Sequence, residues 1–215
     1  HQHRSGFRHE LEGLLAGAVM TANVQTPVLW QNKSGIAAFL RSSGINAKNA
    51  IECAGRVVGI GGGRTTSKLA IYSPTAGWAK QNLSSGGNQI PKMMFAAPNG
   101  DIFYSLQYNV TYTDTGKLWR LPNGSTTPAA VLDVRAGANW IQSMCADARG
   151  NLYCTAYDQT IGLYKSTDNG VTWTQIVSTA FPGSGFTAAT HLHVVVYDPY
   201  RDVILCSLGD GAGQY

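Results

Sequence analysis

The sequence predicts an all-β chain: a partial β-propeller of about three and a half four-stranded blades, preceded by a short N-terminal segment. Three observations carry this. A strand–turn–strand pattern recurs after 50 and then 51 residues. Only 13% of the 215 residues are charged, while 44% are hydrophobic and 25 are Gly, a mix suited to short strands joined by tight turns. The third is the stretch Ser166-Thr167-Asp168-Asn169-Gly170-Val171-Thr172-Trp173. There an Asp accepts nearby backbone N–H groups and a Gly takes the positive-φ position of a turn.

Residues 1–34 match none of this. Leu11 to Val19 is apolar but short, with Glu10 and Glu12 at its margin. It predicts a short amphipathic helix or an anchor rather than a signal peptide. Residues 35–215 carry the repeat. Its copies are Met94–Ser105, Met144–Thr155 and Val195–Cys206, with a weaker one around Gly55-Arg56-Val57-Val58. Each copy reads as strand, turn, strand, and supplies strands A and B of a unit. Strand C follows at Ala70–Ser73, Leu118–Leu121 and Leu163–Ser166. The turn into strand D comes next: Pro74–Trp78 and Pro122–Ser125 are degenerate, and Ser166–Trp173 is complete. The fourth unit reaches only Tyr215, near where its strand C should begin.

The four cysteines are expected as free, buried thiols. Cys145 and Cys154 flank one hairpin. A two-residue turn at Arg149-Gly150 would set them opposite each other, whereas a three-residue turn with a Gly bulge would separate them. The net charge of +4 has no Lys/Arg cluster of the kind that grips nucleic acid. No apolar run reaches membrane-spanning length.

The complete turn, S-x-D-x-G-x-T-W, resembles the Asp-box (BNR) repeat of sialidase-like β-propellers, including those of phage tail and secreted bacterial proteins. The resemblance covers about residues 35–215. It implies that Asp168 and Trp173 are structural, and that ligands bind on the opposite face, where B–C loops and D–A connections meet. Closed rings have about 4–8 blades, so remaining blades or another chain are expected to complete this one. For a sialidase it also implies an Arg-Ile-Pro motif and a Tyr–Glu nucleophile pair. This chain has Leu40-Arg41-Ser42-Ser43-Gly44-Ile45 where the first would fall.

On that face the B–C loops are expected at Gly61–Thr66, Tyr108–Asp114, Tyr157–Gln159 and Gly209–Gly211. Tyr108, Tyr112 and Tyr157 suit the apolar faces of sugars, and Asp158 and Asp210 suit hydroxyls. Aligning the repeats places His191 with Trp140 and Ile90, and His193 with Gln142 and Lys92. Two histidines at i and i+2 of a strand share a face and can act as acid/base or as ligand donors. A zinc site needs a third ligand, and none is evident from spacing. Arg135, in a D–A connection, can meet an acidic sugar. The expected function is recognition of a glycan or cell-surface polysaccharide by a secreted or virion-associated protein, without a cofactor or metal. A glycosidase or lyase using His191 and His193 is the alternative, as is a purely structural scaffold. Homo-oligomers fit either.

Overall fold

A computed structural model describes residues 47–63, 66–73, 77–82, 90–107, 116–134, 140–157, 162–178 and 191–209. They are all-β. Strands β1 (Ala47–Cys53), β2 (Arg56–Gly63), β3 (Thr66–Ser73) and β4 (Gly77–Asn82) form one antiparallel meander. A second comprises β5 (Ile90–Ala96), β6 (Ile102–Gln107), β7 (Lys117–Leu121) and β8 (Ala129–Asp133). A third comprises β9 (Trp140–Ala146), β10 (Leu152–Tyr157), β11 (Gly162–Ser166) and β12 (Thr174–Ser178). The hairpin β13 (His191–Asp198) and β14 (Val203–Gly209) follows. Residues 1–46, the expected helix or anchor among them, lie outside the described residues, as do Arg135, Tyr108, Tyr112, Asp158 and Asp210.

Each sheet packs face to face on the next, because its inner strands carry apolar residues on both sides. Val58, Ile60, Leu69 and Ile71 of the first sheet meet Ile102, Tyr104, Leu106 and Leu121 of the second. Phe103 and Leu118 of the second meet Ile141, Leu152, Cys154 and the half-buried Trp173 of the third. Tyr153 and Leu163 of the third meet Leu192 and Val195 of the hairpin. The first strands also neighbour one another in order, β1 to β5 to β9 to β13.

The turn Ser166–Trp173 shows why its sequence is as it is. Asp168 accepts the Thr172 hydroxyl at 2.6 Å, the Thr172 and Val171 N–H groups at 2.9 and 3.1 Å, and the Ser166 hydroxyl at 2.7 Å. Those hydrogen bonds, from Thr172 first, hold its carboxyl far below the usual range. Gly170 sits at φ +77°, and a Cβ there would lie 2.3 Å from Phe103 Cζ of the neighbouring sheet. Trp173 meets the same ring edge to face, with centroids 6.3 Å apart. The turn thus stitches the third sheet to the second. The degenerate turn Pro122–Ser125 is held differently. Buried Arg56 reaches across from the first sheet and donates to the carbonyls of Pro122, Ser125 and Gly100 at 3.2, 3.1 and 3.0 Å.

Three sequence expectations are corrected. Gly61-Gly62-Gly63 is not a loop: it ends β2 and pairs with Lys68, Ser67 and Thr66. The cysteines are free, but only Cys53 and Cys154 are buried; Cys145 is half-buried and Cys206 exposed. The third correction concerns the last turn. The β9–β10 turn has three residues with Gly150 at φ +83°, so Cys145 faces Tyr153 and Cys154 faces Met144. The β5–β6 turn is the same, with Gly100 at φ +88°. The β13–β14 turn has four residues between the paired Asp198 and Val203. The extra residue shifts β14 by one against the repeat, which turns Val203 and Leu205 to the outer face and Cys206 toward the third sheet.

Candidate functional site

Ile90, Trp140 and His191 are the first residues of β5, β9 and β13. Shortly after them each strand carries a β-bulge. The ladder steps from Pro91 to Met93, from Ile141 to Ser143 and from Leu192 to Val194. Lys92, Gln142 and His193 are thereby left out of the pairing register. β1 shows a like step between Ala47 and Asn49. A bulge bends its strand and re-aims a side chain, and such bulges gather beside functional sites. Here the residue re-aimed is the polar one in every repeat. The sequence alignment had placed these three residues together, but residue spacing gave no sign of the bulge.

Two of these strand starts are held by serine hydroxyls from the neighbouring sheet. Ser105 of β6, fully buried, donates to the Ile141 carbonyl at 2.6 Å. Ser143 of β9 accepts the Val195 N–H at 3.2 Å and lies 3.4 Å from the Val195 carbonyl. Each sheet therefore pins the start of the next inner strand.

Side chains from β5, β9, β10 and β13 then form one continuous row. The Lys92 ammonium lies 5.0 Å from the centre of the Trp140 ring. Trp140 stacks on Tyr157, its cross-strand partner, at 4.4 Å and 11°. Tyr157 meets His191 at 4.3 Å and His193 at 5.5 Å. The two histidine rings lie 4.8 Å apart, with their Nε2 atoms 2.8 Å from each other. The same i to i+2 link recurs one sheet earlier, where Trp140 Nε1 donates to Gln142 Oε1 at 2.6 Å. His193 also seats on Gly209, where a Cβ would come within 2.2 Å of its Nε2.

The structure thus brings together four of the expected site residues: Trp140, Tyr157, His191 and His193. To them it adds Lys92 and Gln142. His191 is buried and the other five are half-buried. Tyr157 closes β10 rather than sitting in a loop. Because one Nε2 must donate and the other accept, the histidine pair shares a single proton at that contact. Among the described residues no group of three or more His, Cys, Asp or Glu gathers to hold a metal ion. Asp168 and Asp198 lie at the other end of the sheets, their oxygens taken up by turn N–H groups, including those of Tyr200 and Arg201 on Asp198 at 2.9 and 3.3 Å.

Among the described residues no helix is long and apolar enough to cross a membrane. No protein-family profile matches the sequence. No curated protein matches it either. Among solved structures the chain is similar to one from a nidogen/laminin complex, with 14% identity over 75% of this chain and 57% of that one and a TM-score of 0.47. It is also similar to a protein of unknown function from Dyadobacter fermentans DSM 18053, with 12% identity, 75% and 61% coverage and a TM-score of 0.43. A third is a puromycin-hydrolyzing peptidase of Mycobacterium tuberculosis, with 9% identity, 74% and 28% coverage and a TM-score of 0.41. The chain spans less than two thirds of the length of each of them.

Proposed function

We propose that this chain is the glycan-recognition part of a β-propeller in a secreted or virion-associated protein, with its site at Lys92, Trp140, Tyr157, His191 and His193. The observation that carries the reading is the row these five side chains make at one end of successive inner strands. Four antiparallel sheets packed in sequence, each inner strand beside the next, support the propeller reading. Sugars present apolar C–H faces and a fringe of hydroxyls. A tryptophan ring offers the first a platform, and Gln142, Lys92 and the histidines supply donors and acceptors for the second.

The pair geometry favours recognition over turnover. A general acid or base must present its nitrogen to the reacting group. Here the two Nε2 atoms address each other at 2.8 Å.

A saccharide array probed with the 215-residue chain, followed by calorimetry on any glycan bound, tests this. Trp140→Ala is expected to weaken binding at least about tenfold, or about 1.4 kcal/mol, while far-UV circular dichroism stays unchanged. An array silent for the folded chain, or a glycan held equally by Trp140→Ala, would refute the site.

A further inference from the structure

Side chains two apart on a regular strand stand side by side, with Cα atoms roughly 6–7 Å apart. The bulge between Leu192 and Val194 changes that for the histidines. It takes His193 out of the pairing register and brings the two Nε2 atoms to 2.8 Å, with the rings 22° from parallel. The backbone makes this convergence rather than the rings. One sheet earlier the equivalent bulge brings Trp140 Nε1 to Gln142 Oε1 at 2.6 Å. Gly209 keeps the meeting point open. It pairs with His191 across the hairpin, and a Cβ there would collide with the Nε2, Cε1 and Cδ2 atoms of His193.

We propose that His191 and His193 form a binding site for a divalent transition-metal ion, copper(II) before nickel(II), with the two Nε2 atoms as adjacent ligands. Imidazole nitrogen lies about 2.0–2.1 Å from a bound first-row ion such as zinc. At that length, two nitrogens 2.8 Å apart subtend about 84–89° at the ion. That is the right angle of a square-planar or octahedral centre. A tetrahedral zinc would want its nitrogens about 3.3–3.4 Å apart. Tetragonal sites select copper(II) or nickel(II), and copper(II) binds most tightly in the series. The donors agree: the pair offers neutral nitrogen, and the row it belongs to carries no carboxylate of the kind that cages calcium or magnesium. Water or an exchangeable oxygen ligand fills the other positions.

The proton count balances. In the hydrogen-bonded pair one ring donates its Nε2 proton to the other. When the ion binds, that ring takes its Nδ1–H tautomer, so both Nε2 lone pairs face the ion and no net proton leaves. His193 is half-buried, which gives the ion and the exchanging proton a way in. The ion shares two side chains with the proposed glycan row but does not rest on glycan binding.

Calorimetry and copper(II) electron paramagnetic resonance on the 215-residue chain test this. The chain has five histidines, so His1→Ala, His3→Ala and His9→Ala leave this pair alone. Cys206→Ser removes the exposed thiol. In that background one copper(II) per chain is expected, with a tetragonal signal split by nitrogen and a Kd on the order of 1–100 µM. Zinc(II) should bind more weakly. His193→Phe keeps a ring against Tyr157 but has no nitrogen, and should raise the Kd at least about tenfold. Gly209→Ala retains both histidines but fills their meeting point, and should do the same; circular dichroism verifies that both variants fold. Trp140→Ala should leave copper(II) binding intact, so the ion and the glycan are read separately. No copper(II) bound in this background, or binding unchanged in either folded variant, would overturn the proposal. Zinc(II) held more tightly than copper(II) would overturn it as well.

Discussion

Gly170→Ala tests the claim that the turn Ser166–Trp173 joins two sheets. The structure assigns this substitution two separate costs. Gly170 has φ +77°, where an L residue is strained by about 1–2 kcal/mol. The added methyl would also lie 2.3 and 2.5 Å from Phe103 Cζ and Cε1, and Phe103 is fully buried. Overpacking of that kind costs about 1–3 kcal/mol more. The sum is about 2–5 kcal/mol. In a domain of this size each kcal/mol lowers Tm by about 2–4 °C, so a loss of about 4–20 °C is expected. Gly124→Ala supplies the reference. Its φ is +78° and nothing lies within 4 Å of the added Cβ, so it should show the strain alone. The difference between the two variants is the inter-sheet contact. Phe103→Leu should remove most of that difference when Gly170→Ala is made in its background, a coupling that a double-mutant cycle by thermal or urea melting will read. Equal costs for Gly170→Ala and Gly124→Ala, or no coupling to Phe103, would refute the idea that this turn holds the sheets together.

Arg56→Met should destabilise by about 2–4 kcal/mol in urea melts, because the carbonyls of Pro122, Ser125 and Gly100 lose a charged donor. Arg56→Lys, lacking the planar fork, should recover less than half of that. Burial pushes the Asp147 carboxyl up, but hydrogen bonds from Asn151, Tyr153 and the Arg149 N–H outweigh it and hold it below its ordinary 3.8. The unfolded chain therefore binds the proton more readily, so stability is full above about pH 4 and falls as pH drops through the lower folded value. Asp147→Asn should flatten that acid slope in melts taken between about pH 2 and 5, and an unchanged slope would count against the assignment. Among the thiols, Cys206 should react first with a disulfide reagent in the folded protein. Cys145, pushed up to about 12 chiefly by burial and then by Cys206, should lag, and buried Cys53 and Cys154 should wait for unfolding.

The parts of the fold legible in the sequence are those set by local chemistry. Gly100 and Gly150 announce turns because glycine takes a positive φ without strain, though the sequence left the turn length at Arg149-Gly150 open, and Asp168 announces its turn because its carboxylate accepts from four groups of Ser166, Val171 and Thr172. The repeat then puts Trp140 and His191 at equivalent strand starts. The bulges at Lys92, Gln142 and His193 were not legible. A bulge depends on where the neighbouring strand offers its hydrogen bonds, and Ser105 and Ser143, which hold two of the strand starts, belong to other sheets. Nor was the extra residue in the last turn legible, since Pro199-Tyr200-Arg201-Asp202 aligns without a gap to turns one residue shorter.

These two irregularities set the two ends of the inner strands apart. Seven- and eight-residue strands span about 20 Å or more. At their starts the bulges break the alternation, so polar residues that regular pairing would have turned elsewhere come to line one site. At their ends pairing is regular as far as the turn, and apolar residues keep their period of two. In the third sheet the three-residue turn leaves Cys145 and Tyr153 facing the next sheet, where they are covered. In the hairpin the four-residue turn brings Val196 opposite Leu205 and Asp198 opposite Val203 instead. The apolar strip of Val203 and Leu205 thus follows from the turn closing one residue later than in the other sheets. Deleting Tyr200 outright would leave a three-residue turn between the same pair, Asp198 and Val203, so Leu205 would stay opposite Val196 on the outer face.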